Sequence, residues 1–127
     1  MFYCEMSVRD YECDMQGVVN NSVYQNYLEH ARHEFLKTRD LDFARLTRDG
    51  IIVVVVRAEI DYLRPLQSGD SFRVTAEPVL ESRVRLVFGQ QIINAESGVK
   101  HVSARIVTTA VNERGRPYFP EVLRALL

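Results

Sequence analysis

The chain has 127 residues, which is the usual size of one domain. Its 16 Lys and Arg residues and 17 Asp and Glu residues give a net charge of −1. A nucleic-acid-binding protein normally carries a strong basic excess, so we expect no nucleic-acid partner. The apolar fraction of 46% and the charged fraction of 26% exclude a disordered chain. We therefore predict a single domain over residues 1–127.

No segment has the composition of a membrane span or a secretion signal. The longest apolar run covers residues 51–56, far short of the roughly 18 residues that a span needs. The first residues lack a basic stretch followed by an apolar one. The two cysteines, Cys4 and Cys13, are too few for a disulfide scaffold, and no Cys/His pair has the spacing of zinc ligands. We expect a cytoplasmic protein without a membrane partner or a metal.

The first half of the chain predicts one long helix. Residues 2–9 are typical of a short strand, and residues 10–20 of an irregular loop. Apolar side chains then recur at helical spacing, namely Tyr24, Tyr27, Leu28, Ala31 and Phe35. Either Asn21 or Ser22 is the expected N-cap, since Ser22 and Gln25 have the spacing of a capping box. The helix should end near residues 38–40.

The second half predicts strands. Residues 51–56 are almost wholly β-branched, which favours a strand buried on both faces that continues to residue 62. Further strands are expected over residues 72–79, 83–93 and 99–111, and a short helix over 121–127. Strands without intervening helices pair antiparallel, so we predict an α+β fold in which a sheet of about five strands curves around one helix. The double-sided strand indicates that a partner chain covers or extends the sheet.

An acidic loop leads directly into the predicted helix. It contains Asp10, Glu12 and Asp14, followed by Gly17, which permits a tight turn. The unpaired N–H groups of a helix N-terminus can polarise a carbonyl or hold an oxyanion, and a carboxylate beside them can act as nucleophile or general base. Acidic residues before a helix also serve as plain capping electrostatics. The residues alone leave both interpretations open, and we expect Asp10 and Glu12 to face solvent.

The same stretch carries a family resemblance. Residues 14–24 (DMQGVVNNSVY) and 27–32 (YLEHAR) closely resemble the signature of hotdog-fold acyl-CoA thioesterases of the 4-hydroxybenzoyl-CoA thioesterase-like family. Weaker similarity continues in order through residues 60–66, 69–70, 83–88 and 115–117. Residues 17–24 are also similar to plant plastid acyl-acyl-carrier-protein thioesterases of the same fold. The substrate carrier can therefore be CoA or acyl carrier protein.

The resemblance implies a catalytic centre at the loop and the helix start. Asp14 matches the family's catalytic carboxylate, as nucleophile or as general base. The backbone N–H of Asn21 matches the group that polarises the thioester carbonyl. Gly17 is expected to let the backbone approach the substrate, and Tyr24 and Tyr27 are expected in the core or on the pocket wall.

The resemblance also implies carrier contacts and an assembly. Arg83 and Arg85 would contact the phosphates of CoA from one face of the strand predicted over residues 83–93; a solvated face is the alternative. A homodimer with a continuous sheet, assembling to a homotetramer, is implied, with the pocket at the dimer interface. The acyl tail would then run beside the helix, against Tyr24, Tyr27, Leu28 and residues 51–56. Hydrolysis needs water and the carboxylate alone, so no cofactor is expected. Fatty acid metabolism is the implied setting.

This sequence departs from the family pattern in two places. Cys13 stands where many relatives have Thr, and residues 18–21 contain no His where many relatives have one. Asn20 is then the candidate for orienting water or the thioester by hydrogen bonds. A hotdog dehydratase usually needs such a His, which disfavours that activity. A non-catalytic module that binds acyl thioesters is a further alternative.

Overall fold

The structure, a computed structural model, describes residues 1–127. The chain forms seven strands, which are β1 (Tyr3–Ser7), β2 (Ile52–Tyr62), β3 (Ser71–Thr75), β4 (Glu77–Leu80), β5 (Leu86–Asn94), β6 (Lys100–Val111) and β7 (Pro117–Tyr118). There are two α-helices, α1 (Asn21–Thr38) and α2 (Phe43–Arg48), and two 3-10 helices, Asp10–Glu12 and Glu121–Leu126.

All strands belong to one antiparallel sheet. Its main path has five strands in the order β1-β3-β5-β6-β2, while β4 pairs with β5 and β7 pairs with β6. The expected α+β fold with about five antiparallel strands around one long helix is therefore confirmed. The two additions are short strands at the end of the sheet where β5 begins and β6 ends.

The core lies between α1 and the inner face of the sheet. Alternate residues of the strands point inward, because side chains in a strand alternate between faces. The ring of Tyr27 on α1 packs against Phe72 on β3 with centroids 4.7 Å apart, and Leu28 beside it is fully buried. The outer face carries charge instead, as in the ion pairs of Arg105 with Glu59 and Glu81.

The N-cap of α1 differs from the expected residues. The helix begins at Asn21 and its cap is Asn20, whose carbonyl accepts from the N–H of Val23 at 2.9 Å. No side chain caps the helix, so the capping box of Ser22 and Gln25 does not form. The expected end of the helix is confirmed at Thr38.

Three predictions about the strands are corrected. Arg83 and Arg85 do not lie on a strand: β5 begins at Leu86, and a bend precedes it. The strand predicted over residues 72–79 is two strands, β3 and β4. The strand predicted to be buried on both faces, β2, is instead one of the two edge strands of the sheet, and its Val55 and Val56 are each 49% exposed.

Candidate active site

The acidic loop is built around the carboxylate of Asp14. Its Oδ1 accepts hydrogen bonds from the N–H groups of Gln16 at 2.8 Å and Val18 at 3.4 Å. The turn is closed by main-chain bonds from Asp14 to Val18 and from Gly17 to Asp14, with Gly17 at a φ of +81°. A side chain is strained at such a φ, which explains the glycine. Asp14 itself is exposed, so the turn fixes a carboxylate that solvent can reach.

The two ends of the loop pair with each other just before α1. Cys13 pairs with Val19 in an isolated antiparallel bridge, and the N–H of Asn20 donates to the carbonyl of Glu12 at 3.1 Å. These contacts bring the two ends of the turn together, with Asp14 at one end and Asn21 just beyond the other. The predicted neighbourhood of Asp14, Gly17, Asn20 and Asn21 is thus present in the fold.

The first turn of α1 is open to solvent. The N–H groups of Asn21 and Ser22 have no hydrogen-bond acceptor, and both residues are exposed. The side chain of Asn20 is also exposed and makes no hydrogen bond. Bare N–H groups at a helix start carry partial positive charge, so this surface attracts an oxygen that gains negative charge.

Tyr24 and Tyr27 are core residues. Both are almost fully buried; the hydroxyl of Tyr24 accepts from the N–H of Leu66 at 2.9 Å, and that of Tyr27 donates to Oε1 of Glu12 at 2.8 Å. Burial raises the pKa of both phenols, and the bond to Glu12 raises that of Tyr27 further. Of the two expected locations, core or pocket wall, the core is the one observed in this chain.

Glu12 is buried, contrary to the expectation that it faces solvent. It is 9% exposed, and its carboxylate accepts from the hydroxyl of Tyr27 and from the N–H of Arg9, both at 2.8 Å. Asp10 is exposed as expected and accepts from the hydroxyl of Ser68. Local sequence gives no sign of this difference, because the partner that buries Glu12 lies 15 positions away.

Tyr62 was not predicted as a neighbour of the helix start. It is the last residue of β2, and its ring packs on Tyr24 with centroids 5.5 Å apart. Its hydroxyl lies 3.4 Å from the carbonyl oxygen of Asn21. The outer edge of the sheet and the N-terminus of α1 are therefore adjacent.

Cys13 lies next to Asp14 but is not an activated thiol. Partial burial, followed by the nearby carboxylates of Asp10 and Asp14, raises the pKa of its thiol. A raised pKa keeps the group protonated at neutral pH, and the thiolate is the reactive form. Cys13 is therefore a poor candidate for a nucleophile.

A largely apolar groove runs between α1 and β2. Its volume is about 220 Å³, and a second hollow continues it toward the start of α1, sharing Glu29, Arg32 and Val55 with it. The wall of the groove includes Val53 and Val54 on β2. Leu123 and Leu126 of the C-terminal 3-10 helix also line it. A groove of this kind suits an extended apolar chain.

Arg32 is one of the polar residues on the groove wall. Its Nη1 donates to Oε1 of Gln90 at 2.9 Å, and buried Gln90 in turn donates to the carbonyls of Leu28 and Thr75. Burial lowers the pKa of the guanidinium, and Glu29 partly offsets this. The network anchors α1 to the sheet beside the groove.

Arg83 and Arg85 lie far from Asp14 in the same chain. The hydroxyl of Thr109 donates to the carbonyl of Val84 at 2.6 Å, and Thr109 pairs with Val54 near the start of β2. The helix start lies at the other end of β2, beside Tyr62. Strands rise about 3.3 Å per residue, so the eight steps from Val54 to Tyr62 span roughly 26 Å. One chain does not bring these arginines to the loop.

The structure contains no group of three His, Cys, Asp or Glu side chains that could hold a metal ion. None of its helices combines the length and apolarity that crossing a bilayer requires.

Comparison with known proteins identifies the family. Residues 8–127 match the model of the thioesterase-like superfamily. The chain belongs to this superfamily. Among curated relatives, the chloroplastic acyl-acyl carrier protein thioesterase ATL3 of Arabidopsis thaliana is 35% identical over 113 residues, which is 89% of this chain. The match covers 60% of the plant protein, so this chain spans about three fifths of its length.

Two solved structures have the same fold as this chain. A hypothetical protein of Aquifex aeolicus superimposes with a TM-score of 0.92 at 29% identity, over the full length of both chains. Slr0204 of Synechocystis, a 1,4-dihydroxy-2-naphthoyl-CoA thioesterase, gives a TM-score of 0.91 at 23% identity and covers 98% of this chain and 94% of its own. The resemblance to hotdog-fold thioesterases is therefore confirmed, and the fold is the hotdog.

Proposed function

We propose that this protein is a thioester hydrolase that cleaves an acyl-CoA into the free acid and CoA. The observation that carries the proposal is the exposed carboxylate of Asp14, fixed by the turn at residues 14–18 beside the bare N–H groups that begin α1. A carboxylate and an oxyanion site on the same small surface are the two groups that thioester hydrolysis requires.

The thioester carbonyl oxygen would accept from the N–H of Asn21. As nucleophile, Asp14 attacks the carbonyl carbon, the C–S bond breaks, and thiolate leaves while an anhydride forms; water then cleaves the anhydride. As general base, Asp14 takes a proton from water, whose oxygen forms the new C–O bond directly; the C–S bond then breaks and the proton passes from Asp14 to the departing thiolate. Both routes consume one water and release an acid and a thiol. Loss of one oxyanion donor typically costs about 3–4 kcal/mol of transition-state stabilisation.

Asn20 lies in the span of residues 18–21, where many relatives have a histidine and this chain has none. Its exposed amide group is unpaired and stands at the helix cap, one residue before Asn21. We propose that it orients the attacking water or the thioester by hydrogen bonds. An amide cannot take up a proton as imidazole does, so proton transfer falls to Asp14 alone.

The working unit we propose is a homodimer joined through β2. This strand is 11 residues long, lies at the edge of the sheet, and exposes Val55 and Val56. A long apolar edge is a template for pairing with another strand. Pairing with β2 of a second copy, antiparallel about a two-fold axis, continues the sheet across both chains. As in the family pattern, two such dimers would form a homotetramer.

Antiparallel pairing of β2 makes the site composite. It sets the start of β2 in one protomer beside the end of β2 in the other. Arg83 and Arg85 of one protomer thereby approach Asp14 of the other, although within one chain they lie beside opposite ends of β2, where Val54 and Tyr62 are roughly 26 Å apart. Arginine suits the phosphates of CoA because its planar fork grips two oxygens at once.

The acyl chain would occupy the groove between α1 and β2. Its wall is mostly apolar, and the adjoining hollow leads to Gln25 near the helix start. This agrees with the sequence-based expectation that the acyl tail runs beside the helix against the β-branched strand. Tyr24 and Tyr27, which we had also expected to contact substrate, support the helix start from beneath it.

An acyl-acyl-carrier-protein thioesterase is the second candidate. The observation that favours it is the 35% identity to a plant enzyme of that name. Both candidates share the chemistry at Asp14 and differ in the carrier, and both fit a cytoplasmic enzyme of fatty acid metabolism. Parallel assays with one acyl group on CoA and on acyl carrier protein distinguish them by the ratio of kcat/KM.

A further inference from the structure

Glu12 is a buried carboxylate beneath the loop that carries Asp14. It is 9% exposed, while Asp14, two positions later, is exposed. A carboxylate removed from water is costly unless it is well hydrogen-bonded. Its partners are Tyr27, itself 1% exposed, and Arg9, which donates its main-chain N–H and also places its guanidinium Nη1 3.6 Å from Oε2. The proposed hydrolysis does not use this carboxylate as an acid or a base.

Residue 12 joins three parts of the site. Its side chain binds the hydroxyl of Tyr27 on the second turn of α1 and the N–H of Arg9, where the chain leaves β1. Its carbonyl accepts from the N–H of Asn20 at the helix cap. Glu12 thus closes the loop of residues 13–19 at its base. The buried hydrogen bond between Glu12 and Tyr27 attaches this base to α1.

We propose that Glu12 and Tyr27 are positioning residues that hold Asp14 in register with the N–H of Asn21. The proposal rests on the proposed hydrolysis and names what sets its geometry. Glu12 holds the loop side and Tyr27 the helix side, so their bond fixes one relative to the other. Catalytic groups displaced by about 1 Å can lose on the order of a hundredfold in rate.

The test compares Tyr27→Phe with Glu12→Gln. Tyr27→Phe keeps the ring packed on Phe72 and removes only the hydroxyl that Glu12 binds. We expect kcat to fall by about tenfold or more while KM changes less than about twofold, since the groove is untouched. Glu12→Gln keeps the oxygen that accepts from Tyr27 and from the N–H of Arg9. It loses only the ion pair with the exposed guanidinium of Arg9, which contributes little at a surface, so its kcat should stay within about threefold of the starting protein. Tyr118→Phe removes a hydroxyl without a hydrogen bond and is the matched control.

Amide hydrogen exchange supplies a readout that needs no activity. The N–H groups of Gln16 and Val18 are bonded to Asp14, so they should exchange faster in Tyr27→Phe while the amides of β5 and β6 stay protected. An unchanged kcat, or equal exchange in the loop, would overturn the positioning role. If Tyr27→Phe does not fold, Glu12→Leu is compared with Glu12→Gln instead. A lower kcat and faster loop exchange in Glu12→Leu alone support the positioning role, whereas equal kcat and equal exchange in the two variants overturn it. Activity retained in Asp14→Asn would instead overturn the proposed hydrolysis and leave the exchange result standing.

Discussion

The hydroxyl of Tyr62 lies 3.4 Å from the main-chain oxygen of Asn21, so the last residue of β2 touches the first residue of α1. The ring of Tyr62 also packs on Tyr24, whose hydroxyl supports the main chain at Leu66. Because β2 is the edge strand, these contacts place the proposed oxyanion site at the same edge that we propose for the dimer. We therefore expect hydrolysis to depend on formation of the dimer.

Disrupting the β2 edge should abolish both the dimer and the activity. Val56→Glu puts a charge on a side chain that is 49% exposed in the single chain but covered in the proposed dimer. We expect sedimentation velocity to show monomers and kcat/KM to fall at least about tenfold, or 1.4 kcal/mol. Val99→Glu, in the turn before β6, is the control and should stay dimeric and active. A Val56→Glu protein that remains a fully active dimer would contradict the interface.

Narrowing the groove should shift the preferred acyl length. Val54→Phe adds bulk to the groove wall on β2, where the space available to a chain is about 220 Å³. Long acyl-CoAs should lose kcat/KM while short ones are unaffected, because only long chains reach the added ring. The measurement is kcat/KM across a chain-length series, with Val79→Phe on the exposed face of β4 as control. Equal effects on all lengths would argue that the acyl chain lies elsewhere.

Removing the two arginines before β5 should weaken recognition of CoA. For Arg83→Met and Arg85→Met we expect KM for acyl-CoA to rise several-fold with little change in kcat, and the effect to shrink at high salt. The matched control is the same acyl group on N-acetylcysteamine, which has no phosphates and should show no change. A rise in KM of the same size on both substrates would mean that these residues do not contact phosphate.

Cys13 should react slowly with alkylating agents, and Asp14 should be part of the reason. Burial and the surrounding carboxylates raise the pKa of the Cys13 thiol, so at a given pH less thiolate is present. Asp14→Asn removes one of those charges, lowers the pKa and should speed alkylation by iodoacetamide near pH 8, measured by mass spectrometry. Cys4, whose raised pKa does not involve Asp14, is the internal reference. Identical Cys13 rates in both proteins would contradict this assignment.

The sequence predicted the elements that carry a long, regular pattern. The helical spacing from Tyr24 to Phe35 survives in the structure because burial of one face of α1 enforces it, and the strand predicted over residues 99–111 is β6. The six residues of α2 are too few to show a period. The resemblance put the start of α1 at Asn21, where the structure has it, while the catalytic role of Asp14 stays a prediction.

Other features depend on contacts that local pattern does not encode. The side chain of Ser82 accepts from the N–H groups of Val84 and Arg85, which bends the chain where a strand was expected. Glu12 is buried by Tyr27 from another element. The β-branched run at the start of β2 was predicted to be buried on both faces, yet within one chain its Val55 and Val56 side chains are exposed. That mismatch is the basis of the proposed dimer.

Thioester hydrolysis that depends on the Asp14 carboxylate is tested most directly by the release of free thiol. The substrates are a panel of acyl-CoAs and one acyl-acyl-carrier-protein, and the unaltered protein is compared with Asp14→Asn. An asparagine oxygen can still accept from Gln16 and Val18, so the turn should persist while the nucleophile or base is lost. Asp10→Asn, in the same loop, is the control and should remain active. We expect turnover to fall by orders of magnitude in Asp14→Asn alone. Comparable thiol release by the folded Asp14→Asn protein would contradict this expectation.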